Sequence, residues 1–188
     1  MYLATTPEAN RLLETDPLAL LIGMLLDQQI PMEKAFTSPY VLAERMGGSL
    51  DPSTIASFDP DAFEEIFRRP PALHRFPAAM AKRVQELARI LVERFGGDAA
   101  TVWTAAGTGT ELVARIAQLP GFGEQKARIF AALLGKQFGV QPPGWREASG
   151  DYGQEGSTRS VADVIDDNTL TAVRSYKKEM KAAAKAAG

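Results

Sequence analysis

The sequence predicts an all-α fold, and three observations carry that prediction. Apolar residues recur at helical spacing over nearly the whole 188 residues. No run alternates apolar and polar residues as a half-buried strand does. Prolines follow directly on acidic or hydroxyl residues at the start of apolar runs, as in Thr6-Pro7, Asp16-Pro17, Asp51-Pro52 and Asp59-Pro60. A helix tolerates proline there because its first N–H groups have no partner within the helix.

The first helix starts near Pro7, capped by Thr5 or Thr6, and the second at Pro17, capped by Asp16. The second is apolar all round: Leu18, Leu20, Leu21, Ile22, Met24, Leu25 and Leu26 leave no solvated side, which predicts a core helix ending abruptly at "DQQIP". A third helix, about Met32 to Met46, stops at Gly47-Gly48, and two short ones begin near Asp51-Pro52 and Asp59-Pro60. After the proline-bounded loop "RPPALHRFP" comes a long amphipathic helix with Met80, Val84, Leu87, Leu91 and Phe95 on one face, then a short segment at Thr101 to Ala106. A two-helix hairpin spans 110–139, its arms Gly109 to Ala117 and Glu124 to Phe138. Residues 140–160, dense in Gly, Pro, Ser and charge, predict a long irregular loop. Helical character returns at Val161 to Asp166 and after Asn168, so 161–188 is expected to hold the C-terminal helices, fraying into a Lys/Ala-rich tail.

Composition narrows the chemistry. A hydrophobic content of 45% suffices for a sizeable core, as one unit or as two small lobes sharing a cleft. Cysteine is absent, which excludes disulfides, thiolate metal sites and cysteine-ligated iron–sulfur clusters. His74 is the only histidine, so neither a multi-histidine metal site nor a serine triad is available; a surface histidine is its simplest role, with a phosphate contact as the alternative. The N-terminus lacks a cleavable signal and the longest apolar run, Leu18 to Leu26, is too short to span a bilayer, so a cytoplasmic monomer without a membrane partner is expected. The net charge of −2 argues against a binder driven by bulk electrostatics. Basic groups nonetheless gather at His74, Arg75, Lys82 and Arg83 and in the tail at Arg174, Lys177, Lys178, Lys181 and Lys185, each cluster a solvated face or an anion contact.

The stretch "IAQLPGFGEQKARIF", Ile116 to Phe130, is the most informative. Ile116 and Leu119 bury one face of the incoming helix, Pro120 stops it, and Gly121 and Gly123, bracketing Phe122, permit a tight turn and close approach of another backbone. Small Ala127 lets the two helices pack closely. Amides around Gly121 and Gly123 then point outward from a helix N-terminus, where unpaired N–H groups and the helix dipole stabilise a phosphate. Such a grip reads shape rather than sequence.

This hairpin, together with "LLIGMLLDQQIP" about ninety residues upstream, resembles the helix-hairpin-helix, Gly-Pro-Asp superfamily of base-excision DNA glycosylases over roughly Asp16 to Gly139. The resemblance implies a two-lobed helical fold around a cleft and double-stranded DNA as partner. The turn Pro120, Gly121, Phe122 and Gly123, with Gln125 and Lys126 just beyond, would contact the DNA. Gln28 and Gln29 match a helix end that lines the groove. One of them, Gln29 first and Gln28 as the alternative, would fill the gap left by an extruded nucleotide, an amide offering both donor and acceptor. It further implies a structural monovalent cation on the backbone carbonyls of Ala117, Leu119 and Phe122; with cysteine absent, no iron–sulfur cluster and no other cofactor are expected.

Two departures qualify the activity. Members that also cleave the backbone carry a lysine where this chain has Gln125, which cannot form a Schiff base, so lyase activity is not expected. Lys126 lies about 100° further round the helix and fits a phosphate contact or surface charge. The family's carboxylate, about twenty-four residues after the hairpin leucine, falls here on Pro143 and Gly144. Asp151 is the first candidate to replace it, being in the right segment. Glu147 lies in the same loop, and Asp27 and Glu33 are candidates beside the glutamines. Trp145 and Tyr152 offer aromatic faces to an extruded base, although core anchoring explains Trp145 as well. The expected activity is monofunctional hydrolysis of an N-glycosidic bond; the alternative is a non-catalytic module that recognises DNA lesions without the carboxylate.

Overall fold

Capped, proline-led helices begin where the spacing predicts. The computed structural model describes residues 1–186, among which there is no strand; the last two residues of the expected C-terminal region 161–188 lie outside the described residues. Two compact units emerge, one of Met1, Leu3–Ala105 and Gln118–Phe122, the other of Tyr2, Ala106–Ala117 and the residues from Gly123 on.

The first unit holds α1 (Pro7–Thr15), α2 (Pro17–Leu26), α3 (Met32–Arg45), α4 (Pro52–Ser57), α5 (Pro60–Arg68), α6 (Pro77–Phe95) and α7 (Thr101–Thr104). Thr6, rather than Thr5, caps α1 by accepting the Ala9 amide at 3.2 Å. Asp16 accepts the Leu18 and Ala19 amides at the start of α2, Asp51 that of Thr54 at α4, and Asp59 that of Ala62 at α5. Every residue of α2 from Leu18 to Leu26 is buried, as its apolar circumference requires. It packs against α1 and α3, and Gly23 is where it meets α3: a Cβ there would lie 2.7 Å from the Phe36 ring. The long α6 covers α4 and α5.

The second unit is built on α9 (Glu124–Gln137), packed by α8 (Gly109–Ala117), α10 (Trp145–Ala148) and two 3₁₀ turns, Gly150–Gly153 and Val161–Asp163; α11 (Asp167–Ala186) follows. The stretch 140–160 corrects the expected irregular loop. Its composition reads as loop, yet close contacts at three glycines hold it as packed structure. Gly135 receives the Trp145 ring, whose Cε3 and Cζ3 would be 2.3 Å from any Cβ. Gly109 abuts the Gly144 carbonyl and Gly153 the Arg146 carbonyl, each 2.4 Å from where a Cβ would stand. Trp145 is therefore a buried anchor and not a base-stacking platform.

Helix was expected over Val161–Asp166, but only a turn forms. The Asp163 carboxylate accepts the Arg159 and Ser160 amides and pairs with Lys136 Nζ at 2.6 Å, closing the chain on itself. Asp166 then caps the next helix by accepting the Thr169 amide at 2.8 Å, and α11 spans Asp167–Ala186. Gly135→Ala is expected to cost about 1–3 kcal/mol by overpacking Trp145. A lowered urea midpoint with a change in tryptophan fluorescence would report it.

Candidate nucleic-acid interface

The hairpin turn begins at Gln118 as α8 ends. Ile116, Leu119 and Phe122 are buried, and the Phe122 amide donates to the Leu119 carbonyl at 3.1 Å. Phe122 thus holds the turn from within, its ring in the core. Gly121 adopts a φ of +81°, a conformation that suits glycine. Gly123 has ordinary extended geometry, is exposed, and has no atom within 4 Å of where a Cβ would be. No side chain caps the N-terminus of α9, and Glu124 and Gln125 in its first turn are exposed. The bend is open to solvent where an anion would have to reach it.

In the first unit the two glutamines after α2 have different environments. Gln28 is tied down: its Nε2 donates to the Leu25 carbonyl at 2.8 Å and its Oε1 accepts from Arg83 Nη1 at 3.2 Å. Its carbonyl faces Nε2 of His74 at 3.0 Å. The Phe76 amide donates to Nδ1 of His74 at 3.0 Å, so the ring proton resides on Nε2 and His74 donates to Gln28. His74 is only 1% exposed, which corrects the surface histidine expected from its loop: Ser38 Oγ holds the Leu73 carbonyl at 2.7 Å and draws this end of the loop inward. Half of the basic cluster His74, Arg75, Lys82 and Arg83 therefore braces a glutamine instead of forming a solvated face. Gln29 is exposed and has a φ of +58°, the one non-glycine left-handed residue described. That conformation costs about 1–2 kcal/mol for an L-residue, a strain of the kind that collects at functional sites.

The turn and the glutamine loop share neighbours in this unit. A Cβ on Gly121 would lie 3.3 Å from Leu25 Cγ and 3.9 Å from Arg83 Cδ, the two residues that hold Gln28. The basic cluster draws attention to His74 and Arg83, but nothing in the sequence pairs either with Gln28. His74→Ala is expected to cost about 1–3 kcal/mol by leaving the Gln28 carbonyl without its donor, read as a lower melting temperature.

The second unit carries a polar cavity of about 520 Å³ at the start of α9. Gln125, Asp151 and Tyr152 meet there, with Arg128, Arg159 and Tyr176 completing the wall. Gln125 Nε2 donates to the Tyr152 hydroxyl at 2.8 Å, and Asp151 is ion-paired with Arg159, whose guanidinium lies 5.6 Å from the centre of the Tyr176 ring. Glu124 pairs with Arg128 at 2.5 Å, so both acids of the cavity are matched by arginines. Asp151 thereby lies in one cavity with the hairpin's second helix. Lys126 is half-buried, Glu147 is exposed on α10, and Asp27 and Glu33 belong to the other unit, both half-buried. Among the described residues no cluster of His, Asp or Glu could hold a metal ion, and no helix is long and apolar enough to cross a membrane.

A family model described as HhH-GPD superfamily base excision DNA repair protein matches residues 22–187. No curated protein matches the chain.

Proposed function

The chain belongs to the HhH-GPD superfamily of base excision DNA repair proteins, and from that premise we propose that it binds duplex DNA and hydrolyses the N-glycosidic bond of a damaged or modified base. The observation that carries this reading is the solvent-open N-terminus of α9, entered through an exposed glycine and capped by no side chain. A DNA phosphate there accepts from first-turn amides and is favoured by the helix dipole. The carbonyls of Ala117, Leu119 and Phe122 would hold the family's monovalent cation; Leu119 already accepts one amide, which leaves its second lone pair for the ion.

Gln29 enters the gap left by an extruded nucleotide. Its exposure and left-handed backbone support it over Gln28, whose side chain is committed to Leu25 and Arg83. Asp151 supplies negative charge beside the sugar. As the C1′–N bond breaks, its electron pair leaves with the base, which takes up a proton; water adds at C1′, and the carboxylate stabilises the positive charge in between. Its carboxylate lines the cavity beside Arg159, with which it is ion-paired. Gln125 has no amine and is held by Tyr152, so no Schiff base with the sugar forms at this position.

One observation favours the non-catalytic alternative. The family's carboxylate position is filled by backbone packing, with the Pro143 carbonyl accepting the Gly109 amide at 2.8 Å. Duplexes carrying single modified bases, incubated with the protein and treated with hot alkali, separate the two readings. Strand scission at one or more modified positions is expected. Tight binding without scission on any substrate would leave a lesion-recognition module.

A further inference from the structure

We propose that the outer face of α11 is a second contact for the DNA backbone, a role that rests on the reading above and extends it. From Lys177 on, every described residue of this helix is exposed, and Val173 is its only buried one. Arg174, Lys178, Lys181 and Lys185 follow one another at spacings of four, three and four, which aligns them on one face. At 1.5 Å per residue the stripe is about 16 Å long, a length over which one strand of B-DNA carries about five phosphates.

The arrangement works against the isolated helix. Lys177–Lys181 and Lys181–Lys185 are like charges four apart, each destabilising by about 0.2–0.5 kcal/mol. Glu179, the single acid in this stretch, has Ser175, Tyr176, Ala182 and Ala183 at the neighbouring positions and relieves none of them by spacing. Arg174, Lys177, Lys178, Lys181 and Lys185 against Glu179 give a net +4 within a chain of net −2, so the remainder stands at −6. A polyanion along this face removes the repulsion and explains how a chain of negative net charge engages DNA. The same helix contributes Tyr176 to the wall of the Asp151 cavity, about 200° round the helix from Arg174, so the lysine face is a contact separate from that cavity.

The test is the salt dependence of affinity for an undamaged duplex, measured on the full chain and on the triple variant Lys178→Gln, Lys181→Gln, Lys185→Gln. Glutamine is a good helix former, and circular dichroism verifies that α11 persists. Each lost phosphate contact lowers the slope of log affinity against log salt by about 0.9, so a drop of about 2.7 is expected. A control triple at exposed Arg11, Arg89 and Arg94 is expected to keep the wild-type slope. An unchanged slope and affinity in the α11 variant, with wild-type binding intact, would overturn this inference alone. Wild-type protein without salt-sensitive DNA binding would overturn the proposed function as well.

Discussion

Asp151→Asn is expected to slow single-turnover base release by about a hundred- to a thousandfold, the usual cost of deleting one electrostatic stabiliser of a transition state. Affinity for the same modified duplex should stay close to wild type, because the amide keeps the shape of the carboxylate and the half-exposed Arg159 is left to water. Sugar cation and carboxylate attract, and the cavity's other acid, Glu124, is paired with Arg128 as Asp151 is with Arg159. Glu147→Gln on α10 serves as the control and should leave the rate unaltered. Undiminished release by Asp151→Asn would move the carboxylate elsewhere, and Asp27→Asn and Glu33→Gln would then be the variants to assay.

Gly123→Asp is expected to move stability and DNA affinity in opposite directions. An aspartate at this N-cap accepts the first-turn amides and complements the helix dipole, raising stability by a few tenths to about 1 kcal/mol. The site has room for it, with nothing within 4 Å and ordinary backbone geometry. The same carboxylate occupies the amides a phosphate needs and repels it, so affinity for every duplex, damaged or not, should fall at least tenfold, the loss of about one charge-assisted hydrogen bond. A hairpin with a purely structural role would give the gain in stability and no loss of binding. Gly121 is a poorer reporter, since its φ of +81° and the Leu25 contact make any substitution costly to folding.

Much of this architecture could be read along the chain because it is local. A threonine or aspartate followed by proline marks a helix start through hydrogen bonds made within four residues, and α2 announces its burial by having no polar side. The hairpin is legible for the same reason, its buried Ile116 and Leu119 and its glycines all lying within one short stretch. What escaped depends on partners far away in sequence. The order of 140–160 comes from Trp145 seated on Gly135, and of the Val161 turn from Lys136 pairing with Asp163. His74 looks like a surface residue until its bond to Gln28, 46 positions earlier, is seen. Spacing alone ranked Gln28 and Gln29 nearly alike. Three hydrogen bonds to the side chain and carbonyl of Gln28 and a left-handed backbone at Gln29 distinguish their environments.

The most direct measurement is an amide-resolved NMR titration of the wild-type protein with undamaged duplexes of different sequence at low salt. Saturable shifts of the Gly121, Gly123, Glu124 and Gln125 amides, the same for each duplex and reversed by high salt, are the predicted result. A duplex that binds while these four amides stay unmoved would contradict the account, because the polynucleotide would then be held somewhere other than the α9 N-terminus.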